Sequence, residues 1–184
     1  MKSKWLLLAT PLLLTACGYN SIQTMDETAA ASKQQIEVQL QRRADLVPNL
    51  VETVKGYAAQ EVTIFTAVAE ARAGLAGAVK GGNVAQMAAA NDQMTGALGR
   101  LLAISENYPT LKSDQNFLRL QDELAGTENR IAVSRTDYNN AVKDYNAYIR
   151  KFPAVLTAKV TGAKSREYFE VTNAAAREVP KVKF

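Results

Sequence analysis

Phe117, Leu124, Ile131, Tyr138, Tyr145 and Phe152 stand seven residues apart without a slip. A seven-residue repeat of large apolar side chains returns to one helix face every two turns. It therefore specifies a long helix with a partner along that face. Thr127, Ser134 and Ala141 lie between them, and small residues there let a neighbouring helix come close. The pattern predicts a helix over about 115–151, capped by Ser113 or Asp114.

A chain committed to such a helix must cover its apolar face with others. Val84, Met87, Asn91, Met94, Leu98, Leu101, Ser105 and Tyr108 alternate steps of three and four, a bundle seam over about 84–107. Lys80-Gly-Gly-Asn83 before it reads as a turn with Asn83 as cap, and Tyr108-Pro109 ends it. Upstream, Ile36, Leu40, Val47, Leu50, Val54, Tyr57, Ile64 and Val68 share one face, widened by Leu46, Val51, Ala58 and Phe65. This predicts a first helix capped by Asp26 and running to about Gly74 or Val79. Pro48 falls inside it and predicts a kink, with Asp45 capping a restarted helix. Pro153 interrupts the chain later, and Gly162 ends a short fourth helix. Alanine is abundant and aromatics make up 7%, a mixture that favours close-packed helices. The expected fold is all-α: an antiparallel up-and-down four-helix bundle with long first and third helices.

The second and third helices hold roughly 24 and roughly 37 residues, ~36 Å against ~55 Å at 1.5 Å per residue. Residues 46–80 match the third helix in length, so the bundle is expected over 46–165, with a tail over 166–184. Residues 17–45 then form a lipidated leader and a stalk-like helix start. Ile22, Met25, Ile36, Val38 and Leu40 in this stretch give a mixed face suited to contacts with other subunits or a partner.

The lipid comes from the first residues. Met1-Lys-Ser-Lys4 is basic, and Trp5 to Leu14 is an apolar run of 10 residues. That run is too short for a bilayer span, which needs ~20 residues, and fits an export signal over 1–16. Leu14-Thr15-Ala16-Cys17 reads as a lipobox, branched apolar, small, small, cysteine. Diacylglycerol on the Cys17 thiol and an acyl group such as palmitate on its freed amine would hold the chain stably to a membrane. Gly18, not aspartate, follows the cysteine, which points to the outer membrane, facing the periplasm, in a two-membrane host.

Composition narrows the chemistry. The chain has no histidine, removing the commonest general base and zinc ligand. Its single cysteine has no partner for an internal disulfide. Removing Lys2 and Lys4 with the leader lowers the net charge from +4 to +2, a weak basis for nucleic acid binding. No nucleophile stands with a base, no glycine-rich phosphate loop is present, and no haem motif accompanies Tyr138, Tyr145, Tyr148 and Phe152. No catalytic residue, cofactor or metal site is expected beyond the acyl groups on Cys17. Met87 and Met94 read as gap-fillers, and Lys181 and Lys183 as two charges able to touch anionic lipid.

The remaining polar residues invite two readings. Arg42, Arg43, Asp45 and Asn49 cluster around Pro48 as a docking site or as capping and salt bridging at the kink. Gln121, Glu128 and Arg135 run beside the third-helix seam, and Glu61 falls on the first. A buried layer pairing Glu61 or Glu128 with Arg135 or Arg72 would set helix register. The competing reading is a hydrolase or transferase on cell-wall or lipid substrates, with Glu61, Glu106 and Glu128 lining a cleft. A small-molecule site between helices is a third. Asn91, Asn139 and Asn146 read as register hydrogen bonds.

A series of motifs adds to this. Tyr19-Asn20, Gln41-Arg-Arg-Ala-Asp-Leu-Val-Pro-Asn-Leu-Val-Glu-Thr-Val-Lys-Gly-Tyr57, Glu106-Asn-Tyr-Pro109, Asn116-Phe117, Leu120-Gln121, Thr127-Glu-Asn-Arg-Ile-Ala132, Ser134-Arg135, Tyr138-Asn139, Tyr145-Asn146, Phe152-Pro153 and Tyr168-Phe-Glu170 occur in that order. Over about 19–170 the chain resembles the LemA family. The resemblance implies a small, envelope-associated four-helix bundle and no particular activity. Typical members keep an N-terminal membrane anchor where this chain has a lipobox, and Gln60 stands where many carry a histidine. Together the readings lead to a membrane-anchored, non-enzymatic scaffold or interaction module that self-associates as an oligomer or docks on an envelope protein.

Overall fold

The computed structural model describes residues 3–170, with side chains from Gly18 onward. The lipobox side chains Leu14, Thr15, Ala16 and Cys17 lie outside the described set, as do Lys181, Lys183 and the rest of 171–184. The chain is all-helical. Its described residues form α1 (Ser3–Lys55), α2 (Val62–Gly81), α3 (Val84–Ala103), a 3-10 turn (Ile104–Glu106), α4 (Pro109–Lys112), α5 (Gln115–Tyr148) and α6 (Ala154–Thr161). That is six α-helices, where four were expected from periodicity.

The predicted punctuation appears at four sites. Gly82 closes α2 in the left-handed region at φ 65°. Asn83 caps α3, its Oδ1 accepting from the Gln86 amide at 2.9 Å. Asp114 caps α5, its Oδ1 accepting from the Phe117 amide at 2.8 Å. Gly162 likewise ends α6 at φ 73°.

Three boundaries differ from the expectation. Helix α1 passes through Asp26 without starting there, so Asp26 is not a cap. The expected first helix divides: α1 stops at Lys55 and α2 begins at Val62. Gly56, a poor helix former, opens the break, and the Ala58 amide turns back onto the Val54 carbonyl at 2.9 Å. The apolar period continued across this corner because Ala58, Phe65 and Val68 are buried on its far side. Helix α5 ends at Tyr148, so the seven-residue repeat loses its helix before Phe152, which is 81% exposed. The chain reaches α6 through a cis Phe152–Pro153 bond.

At Pro48 no helix restarts, and Asp45 caps nothing: α1 is continuous. A proline lacks the amide that would bond the carbonyl four residues back, here that of Ala44. Ala44 is buried, and its carbonyl accepts from Arg72 Nε of α2 at 2.9 Å. The arginine thus supplies the donor that the proline removes.

Two compact units are built from these elements. One comprises residues 36–133 with 169–170. Its interior takes the α3 seam through Met87, Asn91, Met94, Leu98 and Leu101, then Ile104 once the helix tightens. The other comprises residues 3–35 together with 134–168. There Ile22 packs with Tyr145, Ile149 and Ala158, flanked by Met25, Tyr148 and Ala163. The apolar positions of the expected stalk are thereby covered by the chain itself: Ile22, Ala29, Ile36 and Leu40 are buried, while Val38 is exposed.

Candidate functional site

Position 43 lies three residues after Leu40 and four before Val47, so α1 turns Arg43 onto its apolar face. The side chain is 5% exposed. Its Nη1 lies 2.6 Å from Asn91 Oδ1 on α3 and 2.6 Å from Glu128 Oε2 on α5. The first contact is a hydrogen bond; the second is an ion pair without hydrogen-bond alignment. Burial lowers the Arg43 pKa, and Glu128 and Asp92 oppose that shift. Arg43 and its neighbour Ala44 together tie α1 to α2, α3 and α5. Such a buried charge contributes less to net stability than to fixing one register.

The polar cluster expected around Pro48 therefore divides between two faces. Arg42, Asp45 and Asn49 are exposed. Asp45 Oδ1 accepts from Gln41 Nε2 at 2.8 Å, and the Asn49 carbonyl accepts from Thr53 Oγ1 at 2.9 Å. Of the residues expected to form a register layer, Glu128 pairs with Arg43 and not with Arg135 or Arg72, and Arg72 bonds a backbone carbonyl. Glu61 precedes α2, its carbonyl accepting from the Ile64 and Phe65 amides at 3.1 and 3.2 Å. Arg135 is half-buried on α5, in the other unit.

Of the three carboxylates of the hydrolase reading, Glu106 borders a surface depression without the other two. The depression, of about 420 Å³, is lined also by Leu102, Lys112, Phe117, Leu118 and Gln121. Among the described residues, no three of His, Cys, Asp and Glu gather as a metal site.

At the corner after α1, the Tyr57 hydroxyl donates to Asp114 Oδ2 at 2.8 Å. The Phe117 amide and then Tyr57 lower the Asp114 pKa, and the same hydrogen bond raises that of Tyr57. Gln60 Nε2 donates to the Tyr108 hydroxyl.

The unit formed by the first 35 residues and 134–168 holds a polar clasp that sequence reasoning missed. Residues 163–170 have no regular secondary structure, so their backbone groups need partners from elsewhere. Asn146 supplies two: its Nδ2 donates to the Arg166 carbonyl, and its Oδ1 accepts from the Arg166 amide, both at 2.9 Å. The Tyr138 hydroxyl donates to the Glu167 carbonyl at 2.8 Å. Arg166 Nε donates to Asp26 Oδ1 at 2.7 Å, and its guanidinium lies 6.0 Å from the Tyr145 ring centre. The bond from Arg166 is the main reason the Asp26 pKa is lowered, and it raises that of Arg166. Burial raises the Tyr138 and Tyr145 pKa values. Only Asn146 carried a local signal, as a register hydrogen bond.

Helix α2 is a described helix long and apolar enough by length and composition to cross a membrane, with mean hydropathy 1.4. It also carries Glu70 and Arg72, and it buries Phe65, Val68, Leu75 and Ala78, so we read it as a packed helix of its unit.

These features define a helical protein whose charged side chains cross-link its own elements. The profile of the LemA family matches residues 32–184, and the chain belongs to that family. Magnetosome protein MamQ 2 of Paramagnetospirillum magneticum is 34% identical over 175 residues, covering 83% of this chain and 64% of that protein. Magnetosome protein MamQ of Magnetospirillum gryphiswaldense is 33% identical over 174 residues, covering 82% and 64%. The chain thus spans less than two thirds of the length of these curated relatives.

Proposed function

We propose that this chain is a non-enzymatic envelope lipoprotein acting as a scaffold or interaction module on a membrane surface. Residues 1–16 are the leader, and Cys17 carries diacylglycerol and an N-acyl group. In a two-membrane cell the chain faces the periplasm from the outer membrane. Residues 17–45 stand nearest the lipid, and the helices beyond pack as an antiparallel up-and-down four-helix bundle. The module self-associates or docks on an envelope protein complex. Family membership and the relatives' naming as magnetosome proteins fit a component of an assembled cellular structure.

The observation that carries this reading is the engagement of the ionisable groups. Glu128 is taken by Arg43, Asp26 by Arg166, and Asp114 by Tyr57 and the start of α5. Groups held this way fix structure instead of meeting a substrate. Replacing Cys17 by Ser tests the anchor. Wild type should incorporate labelled palmitate and sediment with membranes, and Cys17→Ser should take up no palmitate and either leave the membrane fraction or remain as an uncleaved precursor. Normal processing and anchoring of the variant would show the lipobox reading to be wrong. A monodisperse monomer in mild detergent, with no co-purifying partner, would count against the scaffold.

A further inference from the structure

Helix α6 has two unlike faces. Ala154, Thr157 and Ala158 are buried. On the opposite side, Phe152 just before the helix, Leu156 and Val160 stand four residues apart and are 81%, 52% and 83% exposed. Single exposed apolar residues are ordinary, but three large ones in a row along one short face are not. Residues 150–164 also carry Arg150, Lys151, Lys159 and Lys164, and no carboxylate. An apolar stripe flanked by cations is the pattern of a helix that lies in a membrane interface.

Its position supplies the second observation. Helix α6 packs on α1 at Gly18, where a Cβ would stand 3.4 Å from Thr157 Oγ1 and 3.5 Å from the Ala154 Cα. Gly18 directly follows Cys17. An acyl group on residue 17 therefore brings α6 to the lipid headgroups.

We propose that the outward face of α6 is a lipid-binding surface. Phe152, Leu156 and Val160 enter the boundary between headgroups and acyl chains, and Arg150, Lys151 and Lys159 meet anionic headgroups. The proposal rests on the anchored reading of Cys17. The acyl chains supply attachment, and the α6 face fixes how the protein stands on the surface. Charge selects this occupant. A second copy of the same face would bring like charges together. The chain's last residues, with Arg177, Lys181 and Lys183 against Glu178, are basic too. Anionic lipid is the complementary partner.

The only tryptophan, Trp5, lies in the leader, so the mature chain offers a clean background for a reporter. Phe152→Trp and Val133→Trp, the latter at a position 61% exposed on α5, are made in the full chain. Each mature protein is reconstituted in phosphatidylcholine vesicles with or without phosphatidylglycerol, and mass spectrometry reads the acylation of Cys17. Brominated lipid should quench most of the Phe152→Trp emission and leave that of Val133→Trp. Adding Lys151→Glu and Lys159→Glu should abolish the dependence on phosphatidylglycerol. An acylated Phe152→Trp protein without quenching overturns the α6 surface and leaves the anchor standing. Emission that is blue-shifted but not quenched means that protein, not lipid, covers the face, and also overturns it. Equal quenching of both reporters does the same. Absence of acylation on Cys17 overturns the anchor and the proposal with it.

Discussion

The two compact units solve one problem, satisfying polar groups inside a helical protein, in opposite ways. In the unit spanning 36–133, which is mostly helical, a buried side chain, Arg43, joins Asn91 and Glu128 across three helices. The single backbone group that Pro48 orphans is met by a side chain, Arg72. In the unit holding 134–168, the irregular residues after Gly162 leave backbone groups outside any helix ladder, and side chains of α5 bond those of Arg166 and Glu167. Where the helix ladder is complete, polar side chains are available to set register; where it is absent, they replace it. The lipid-facing element proposed above belongs to the second unit, where these hydrogen bonds stand beside the apolar cluster around Ile22.

The largest expected effect comes from Ile131, fully buried in the first of these units. Ile131→Asp places an unpaired charge there, costing about 3–5 kcal/mol, which is much of a domain's stability. Circular dichroism should show loss of most helix at room temperature. A soluble, fully helical variant with an unchanged melting temperature would mean that the seven-residue seam is not what holds this unit.

Arg72→Ala should cost less, about 1–3 kcal/mol, because it leaves the buried Ala44 carbonyl without a donor. The comparison makes a sharper demand. Pro48→Ala returns the helical amide, so the cost of Arg72→Ala should shrink to a few tenths of a kcal/mol in the Pro48→Ala background, the non-additivity of neighbouring groups. Equal costs in the two backgrounds, from urea melts, would break the link between proline and arginine.

That link shows where the sequence stopped being legible. The heptads through Tyr145, the cap at Asn83 and the end of α6 at Gly162 are local patterns, and each was readable as written. The α5 cap was readable only as Ser113 or Asp114, and the heptad at Phe152 falls past the end of the helix. Pro48 was readable as a disturbance. Whether it restarts the helix depends on a donor 28 residues beyond Ala44 that no window around the proline contains. Arg43 was readable in principle, since a charge at the third step between Leu40 and Val47 must point inward. The break after Lys55 was hidden because Ala58, Phe65 and Val68 keep the apolar period through a turn. The clasp joins Asp26 to Arg166 across 140 residues. Neither residue stands in a pattern that asks for the other.

Asn146→Ala probes the other unit and should be milder, about 1–2 kcal/mol for two hydrogen bonds to a segment near the surface. Its signature is local. Exchange of the Arg166 amide should speed up, while amides in α3 stay protected. If the α3 amides lose protection as much as that of Arg166, the two units are not held independently and the contrast between them fails.

The smallest effect is acid dependence, and it compares one carboxylate in each unit. Arg166 holds the Asp26 carboxyl below its ordinary 3.8, and the Phe117 amide with Tyr57 does the same for Asp114. A carboxyl whose folded pKa lies below its unfolded value contributes stability above the unfolded value. It loses that contribution as pH falls through the folded one. Neither group should therefore alter stability between neutrality and about pH 5, and both should weaken it below 3.8. The loss should be local, because both groups are partly or wholly open to solvent and screened by it. Acid should speed exchange of the Arg166 amide through Asp26, and of the Phe117 amide through Asp114, beyond the intrinsic pH dependence of exchange. Asp26→Asn should remove the first response and keep the second; Asp114→Asn should do the reverse. If either substitution removes both responses, the two carboxylates titrate as parts of one structure, and the division into a register-locked unit and a clasped one does not hold.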